Sequence, residues 1–251
     1  MRERPPRRTL RARGGQLGVR RGGPRRPRVH LLTHGRVAVL RVHEIYASVQ
    51  GESSFAGLPC TFVRLSGCNL RCRWCDTPQA FTDGQQLTLE VVTQRALATD
   101  TQLVELTGGE PLLQPEALPL MQALADAGRT VLLETSGERD ISAVDPRVHR
   151  IVDLKAPGSG ESAKNRLQNL THLTRRDELK MVLADREDYE WARGLIRAER
   201  LHERVAHVLL GPVFGELSPA TLVMWMLDDA LPARLNLPLH KHIWGADSTG
   251  V

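Results

Sequence analysis

Cys68, Cys72 and Cys75 fall within eight residues, in C-x3-C-x2-C spacing. Three thiolates this close can bind one metal centre together, and they leave a position without a protein ligand. A structural zinc site closes its tetrahedron with four ligands. An iron–sulfur cluster accepts three cysteines and keeps one iron open to another molecule. On spacing alone, a zinc knuckle and unrelated buried thiols stand beside the cluster as readings. Thr77 follows the last cysteine by two residues. Its hydroxyl could reach a hard cation or could cap a turn. Cys60 lies outside the triad and reads as a buried thiol at a strand start.

A second concentration of chemistry is Thr107-Gly108-Gly109-Glu110-Pro111. Its glycines let backbone approach a ligand closely, and the Glu110 carboxylate can accept a hydrogen bond from an ammonium. A plain turn is the alternative. Glu134 can pair with two adjacent N–H donors of a ligand, and Lys155 follows Asp153 at the end of another apolar run. A solvated surface charge is the other reading of both Glu134 and Lys155.

These residues need elements to hold them, and strands alternate with helices along most of the chain. Strands are expected at 37–46, 61–65, 103–107, 130–135, 150–155, 179–183, 205–210 and 234–239. Helices are expected at 87–98 and 114–127, from Asp185 to about 199, and from Ser218-Pro219 onward. Gly128 suits the position after a helix, and Ser218-Pro219 offers a cap followed by an N1 proline. Repeated β-α units imply a parallel sheet with right-handed crossovers. About six such units give an α/β fold whose barrel is open, a partial (β/α)6 form of the TIM barrel. Active sites of such barrels lie at the C-terminal ends of the strands, where the cysteines, the Gly-Gly-Glu run, Glu134 and Asp153 all fall.

The cysteine loop after a strand, with Trp74 before its third cysteine and Gly108-Gly109-Glu110 ending the next strand, resembles the radical S-adenosylmethionine (SAM) enzymes. Gln50-Gly51-Glu52 after an opening strand, then Gly57, Pro59 and a strand carrying Arg64, narrows the resemblance to the 7-carboxy-7-deazaguanine synthase family. It covers residues 39–251. It implies that Cys68, Cys72 and Cys75 hold a [4Fe–4S] cluster whose open iron chelates SAM. It assigns Gly109, Glu110, Asp153, Leu154, Lys155 and the run Gly211, Pro212, Val213 and Phe214 to SAM. Gly211 and Phe214 depart from the family pattern, so that run is expected to act through backbone. Val49, Gln50, Gly51, Arg64, Thr107 and Glu134 are assigned to a pterin substrate, and Thr77 to Mg²⁺. The implied chemistry is reductive cleavage of SAM, hydrogen abstraction from C6 of 6-carboxy-5,6,7,8-tetrahydropterin, and ring contraction with loss of ammonia. A flavodoxin-type electron donor and a homodimer are implied with it. His240, Lys241 and Trp244 resemble the family's closing strand, where packing or substrate contact is expected rather than metal binding.

Two other readings compete. A glycyl-radical-enzyme activase shares the cysteine spacing but does not call for Gln50, Arg64 and Thr77. A zinc-stabilised nucleic-acid-binding module would use the basic residues of the N-terminus. Of 34 Lys and Arg and 29 Asp and Glu, residues 1–36 hold twelve Arg and one Glu. The remainder therefore carries 22 basic against 28 acidic residues, a balance of −6 that counts against nucleic acid. Residues 1–36 are Arg-, Gly- and Pro-rich without apolar periodicity, so an unfolded, dispensable tail is expected, with residues 37–251 as the catalytic domain. The tail lacks the apolar segment of a signal peptide. Four cysteines, three in one motif, fit a reducing cytoplasm, and no stretch approaches a membrane span.

Overall fold

A computed structural model describes residues 37–245 together with 248 and 250. The expected unfolded tail, 1–36, lies outside the described residues. Strand β1 (Val39–Val49) turns back through residues 50–58 and pairs antiparallel with β2 (Pro59–Leu65). The cysteine loop leaves β2, passes a 3-10 turn at Pro78–Phe81, and returns along the far side of β1 as β3 (Gln85–Thr88), again antiparallel. Then come α1 (Leu89–Leu97), β4 (Leu103–Gly108), α2 (Ala117–Asp126), β5 (Thr130–Thr135), β6 (His149–Asp153) and β7 (Glu178–Leu183). The chain continues as α3 (Arg186–Ala198), α4 (Leu201–Arg204), β8 (His207–Pro212), α5 (Pro219–Asp228), β9 (Arg234–Leu235) and α6 (Leu239–Ile243).

The nine strands of the described residues form one sheet in the order β3-β1-β2-β4-β5-β6-β7-β8-β9. Every pair from β2 onward is parallel. The two edges, β3 and β9, do not pair with each other, so the barrel is open. Its six longer parallel strands match the expected (β/α)6 form.

Several local expectations shift for physical reasons. The helix expected from Leu87 starts at Leu89, because Leu87 and Thr88 pair with β1 and Thr88 then caps α1 by accepting from Val91 N. The helix expected from Gln114 starts at Ala117; the Gln114 amide instead bonds the backbone of Arg41 and Ser66. Ser218 stands at the N-cap of α5 but its hydroxyl makes no cap bond. Asp185 does cap α3, accepting from Asp188 N at 3.0 Å. The expected strand at 234–239 shortens to two residues, and His240–Ile243, expected as a strand, lies in α6. Pro238 at its start has no N–H for a ladder.

Side chains alternate across the parallel strands. Val104, Leu106, Val131, Leu133, Val152, Leu179, Met181, Val208 and Leu210 join the main core with residues of the helices. The opposite phase fills the barrel in layers. Cys60, Phe62, Leu103, Leu132 and Ile151 form an apolar plug. Two residues further along the same strands come Arg64, Glu105, Glu134 and Asp153, the charged floor of the site.

Candidate active site

Above that floor is a cavity of about 380 Å³. Cys68, Cys72 and Cys75 all line it, and none is in a disulfide. Burial pushes the Cys68 and Cys72 thiols up, with Lys155 working against it at Cys72. The loop is pinned from below by the Gly-Gly-Glu run: Gly109 N donates to Leu65 O at 3.1 Å, and Glu110 N to Gly67 O at 2.8 Å. A Cβ on Gly109 would lie 2.1 Å from Gly67 O and 2.9 Å from Cys68 Cβ, so only glycine fits against this loop. Gly108, at φ 140°, is equally excluded from bearing a side chain by Leu65 O.

Most residues singled out from the sequence share this one cavity. Val49, Gln50, Gly51, Arg64, Thr77, Thr107, Gly109, Glu134, Asp153, Lys155 and Gly211–Phe214 all line it. Two do not. Leu154 is buried in the main core. Glu110 is fully buried, and its carboxylate accepts from Thr135 Oγ1, Ser136 N, Ser136 Oγ and Leu112 N. With those bonds made, the Glu110 side chain braces the ends of β4 and β5. Gln50 is also committed inward: Oε1 accepts from Glu52 N and Ser53 N, and Nε2 donates to Glu105 at 3.0 Å. Arg64 donates Nε to Glu44 at 2.7 Å and a terminal nitrogen to the Tyr46 hydroxyl at 3.1 Å. That leaves guanidinium N–H groups for the cavity.

The floor carries two groups that sequence reasoning passed over, Glu105 and Lys180. Lys180 Nζ lies 2.7 Å from Glu52 Oε2 and 3.7 Å from Asp153 Oδ2, and donates to Glu134 Oε1. Burial alone would lower the Lys180 ammonium, but Glu134, Glu52 and Asp153 hold it well above the usual lysine range. Burial likewise works to raise Glu134, yet Lys180 outweighs it and holds the carboxyl at about 2. Glu105 goes the other way: burial and then the charge of Glu134 push it up to about 8. At neutral pH Glu105 is thus mostly a neutral acid beside an ionised Glu134. The signal in the sequence was a single polar residue inside an otherwise apolar strand, as in Leu103–Leu106 and Leu179–Leu183, in phase with the plug.

A further convergence comes from α6. Leu239 N donates to Gly51 O at 3.1 Å, and Lys241 Nζ lies 3.4 Å from Asp76 and 5.7 Å from the Phe214 ring centre. His240 thereby joins Glu52 and Asp76, with ligand atoms all within 4.8 Å of one another. The helical turn, not a shared strand face, brings His240 there.

A model of the radical SAM superfamily matches residues 62–157. The 7-carboxy-7-deazaguanine synthase of Chlorobaculum tepidum is 48% identical over 217 residues, covering 85% of this chain and 98% of the relative. The chain belongs to the 7-carboxy-7-deazaguanine synthase family. The synthase of Koribacter versatilis is 43% identical, covering 84% of the chain and all of the relative. The crystal structure of QueE from Escherichia coli shares the fold, with TM-score 0.64 and 24% identity over 79% of this chain and 93% of that one. As a member of this radical SAM family the protein is a lyase that uses a [4Fe–4S] cluster, SAM and Mg²⁺.

The residues present fit these groups. Three unpaired thiols face one space, and Asp153 Oδ1 is buried without a hydrogen-bond partner at its wall. Thr77 borders the Pro78–Phe81 turn without a side-chain cap bond, so its hydroxyl is not spent there. With Asp76 and Glu52 close by, the oxygen donors suit a hard cation.

Proposed function

We propose that this cavity is where the protein contracts the ring of 6-carboxy-5,6,7,8-tetrahydropterin to 7-carboxy-7-deazaguanine, releasing ammonia. The observation that carries the reading is that Arg64, Thr77, Thr107 and Glu134 face the same space as the three cluster thiols. Cys68, Cys72 and Cys75 hold the cluster, and Thr77 ligates Mg²⁺. The backbone of Gly109, the Asp153–Lys155 strand end and the Gly211–Phe214 run hold SAM. When bound, the cluster and SAM supply the one-electron chemistry that the side chains cannot.

The side chains orient the pterin. Glu134, kept ionised, pairs with the amino and N3–H donors of the pterin's pyrimidine edge. Arg64 offers its remaining N–H groups to a carboxylate or keto oxygen, and the Val49–Gly51 backbone frames the ring. The apolar plug of Phe62, Leu103, Leu132 and Ile151 shuts water out from beneath. A flavodoxin-type donor, a homodimer and a cytoplasmic location complete the reading, with residues 1–36 dispensable for turnover. Among the described residues no helix is long and apolar enough to cross a membrane.

The test is anaerobic reconstitution with iron and sulfide, then SAM, dithionite and the pterin. Formation of 7-carboxy-7-deazaguanine and ammonia is expected; 5′-deoxyadenosine without that product points to an activase. Thr77→Ala sharpens it. Iron content and SAM affinity should stay at wild-type values, while turnover drops on the order of 100-fold through loosened substrate orientation. Thr77→Ser should keep much of the activity and the Mg²⁺ response; identical Mg²⁺ curves for all three proteins would remove Thr77 from the metal.

A further inference from the structure

We propose that Lys180 is the positioning residue of the pterin subsite, holding Glu134 in the orientation and charge that read the substrate's N–H edge. The inference rests on the reading above that Glu134 binds that edge.

Lys180 sits midway along β7, directly in register with Asp153 of β6, with a side chain 5% exposed. Its ammonium has three donors, and three carboxylates from separate elements surround it: Glu52 after β1, Glu134 at the end of β5, and Asp153 at the end of β6. A buried ammonium with one counter-ion needs no such arrangement. Here the lysine is the only described group that touches all three.

The consequence falls on Glu134. Lys180 donates to Glu134 Oε1, and Thr107 Oγ1 donates to Oε2 at 3.3 Å. Each carboxylate oxygen has two lone pairs, so one on each oxygen is used and one on each stays available. Two available lone pairs, one per oxygen, are what an amino group and a ring N–H side by side require. The two donors therefore fix the rotation of the carboxylate without using up its capacity for the ligand.

Charge makes the same point. Facing Glu134 are Arg64 from β2, already paired with Glu44, the mostly neutral Glu105 from β4, and Lys155, paired with Asp153 at 2.9 Å. Without Lys180, the cations left facing Glu134 are Lys155 and Arg64, each already paired with another carboxylate, Asp153 and Glu44. Like charges in a buried site cannot all stay ionised, so Glu134 takes a proton or turns away. A protonated Glu134 presents a donor to a ligand edge made of donors.

Lys180→Met, Lys180→Gln, Glu134→Gln and the Lys180→Met/Glu134→Gln double variant test this in the reconstituted protein with SAM and no reductant. The probe is 6-carboxypterin, the oxidised and fluorescent analogue, titrated between pH 6 and 9. Lys180→Met should bind it on the order of 10–100-fold more weakly, the range of a lost hydrogen bond to a charged group. Iron content should not change, and any loss of SAM affinity through the 3.7 Å contact with Asp153 should be smaller than the loss of the probe. The weakening should deepen as pH falls, since Glu134 then protonates, whereas Glu134→Gln should be weak at every pH. The double variant should be no weaker than the worse single variant, because both remove one interaction. Lys180→Gln, which keeps a donor but no charge, covers the case of a Met variant that does not fold, and should show the same pH trend. Wild-type affinity in Glu134→Gln sinks the pterin assignment of Glu134 itself. A weak Glu134→Gln beside a Lys180 variant that binds normally, or additive losses in the double variant, sinks the role of Lys180 alone.

Discussion

Two buried ionic clusters sit on the same neighbouring strands, β6 and β7, and they are finished differently. Near the N-terminal ends, Arg150 and Asp177 close on each other. Arg150 Nε and its backbone N donate to Asp177 Oδ1, Thr174 N and Oγ1 donate to Oδ2, and the guanidinium also reaches His172 O. Toward the C-terminal ends, Lys180 and Asp153 belong to a set that stays incomplete: Asp153 Oδ1 has no partner, and the set opens on the cavity. A desolvated ion pair with every lone pair matched is a structural joint. One with donors and acceptors left over is a binding surface. The pairs at their centres, Arg150–Asp177 and Lys180–Asp153, are both buried; satisfaction separates them. The cysteines repeat the contrast, since Cys60 is sealed in the plug whereas Cys68, Cys72 and Cys75 share an open space.

The largest expected effect tests that last contrast. Alanine at Cys68, Cys72 or Cys75 should abolish iron binding after reconstitution, because no other described thiol stands at ligand distance to replace the lost one. Cys60→Ala should retain wild-type iron per chain. A Cys60→Ala protein without iron would break the division between sealed and open thiols.

Next in size is the closed ion pair. Arg150→Met should cost ~3–5 kcal/mol in denaturant unfolding, the penalty for stranding a buried carboxylate. Pterin and SAM affinities of the folded protein should stay at wild-type values. A selective loss of pterin affinity with unchanged stability would mean that satisfaction does not distinguish the two clusters.

The smallest effect concerns Glu105. Its folded-state value of about 8 lies above that of an unfolded glutamate, so its contribution to stability is full below about pH 4.5 and is lost as pH rises through 8. Glu105→Gln keeps the shape and the Gln50 contact. It should flatten the decline in melting temperature between pH 5 and 8 by a few degrees. An unchanged decline would place that titration elsewhere.

The chain's local order was enough to write down the cysteine loop, the Gly-Gly-Glu run, the strand ends and the (β/α)6 architecture. Each is carried by spacing or periodicity within a short window, which a linear sequence preserves. The expectation of a tail at 1–36 rests on composition alone, and those residues lie outside the described ones. The tertiary structure decided the rest. Glu110 braces two strand ends, because its donors come from Thr135 and Ser136 at the end of the neighbouring strand. Lys180 and Glu105 looked like isolated polar residues in apolar runs until the sheet register set them among carboxylates from distant segments. Lys180 and Glu52 are 128 positions apart, and only the curl of the sheet brings them to 2.7 Å. His240 reached Glu52 and Asp76 because Pro238 ended the sheet and the chain coiled. Which polar atoms are left unpaired depends on every neighbour at once. Spacing along one strand does not contain that information.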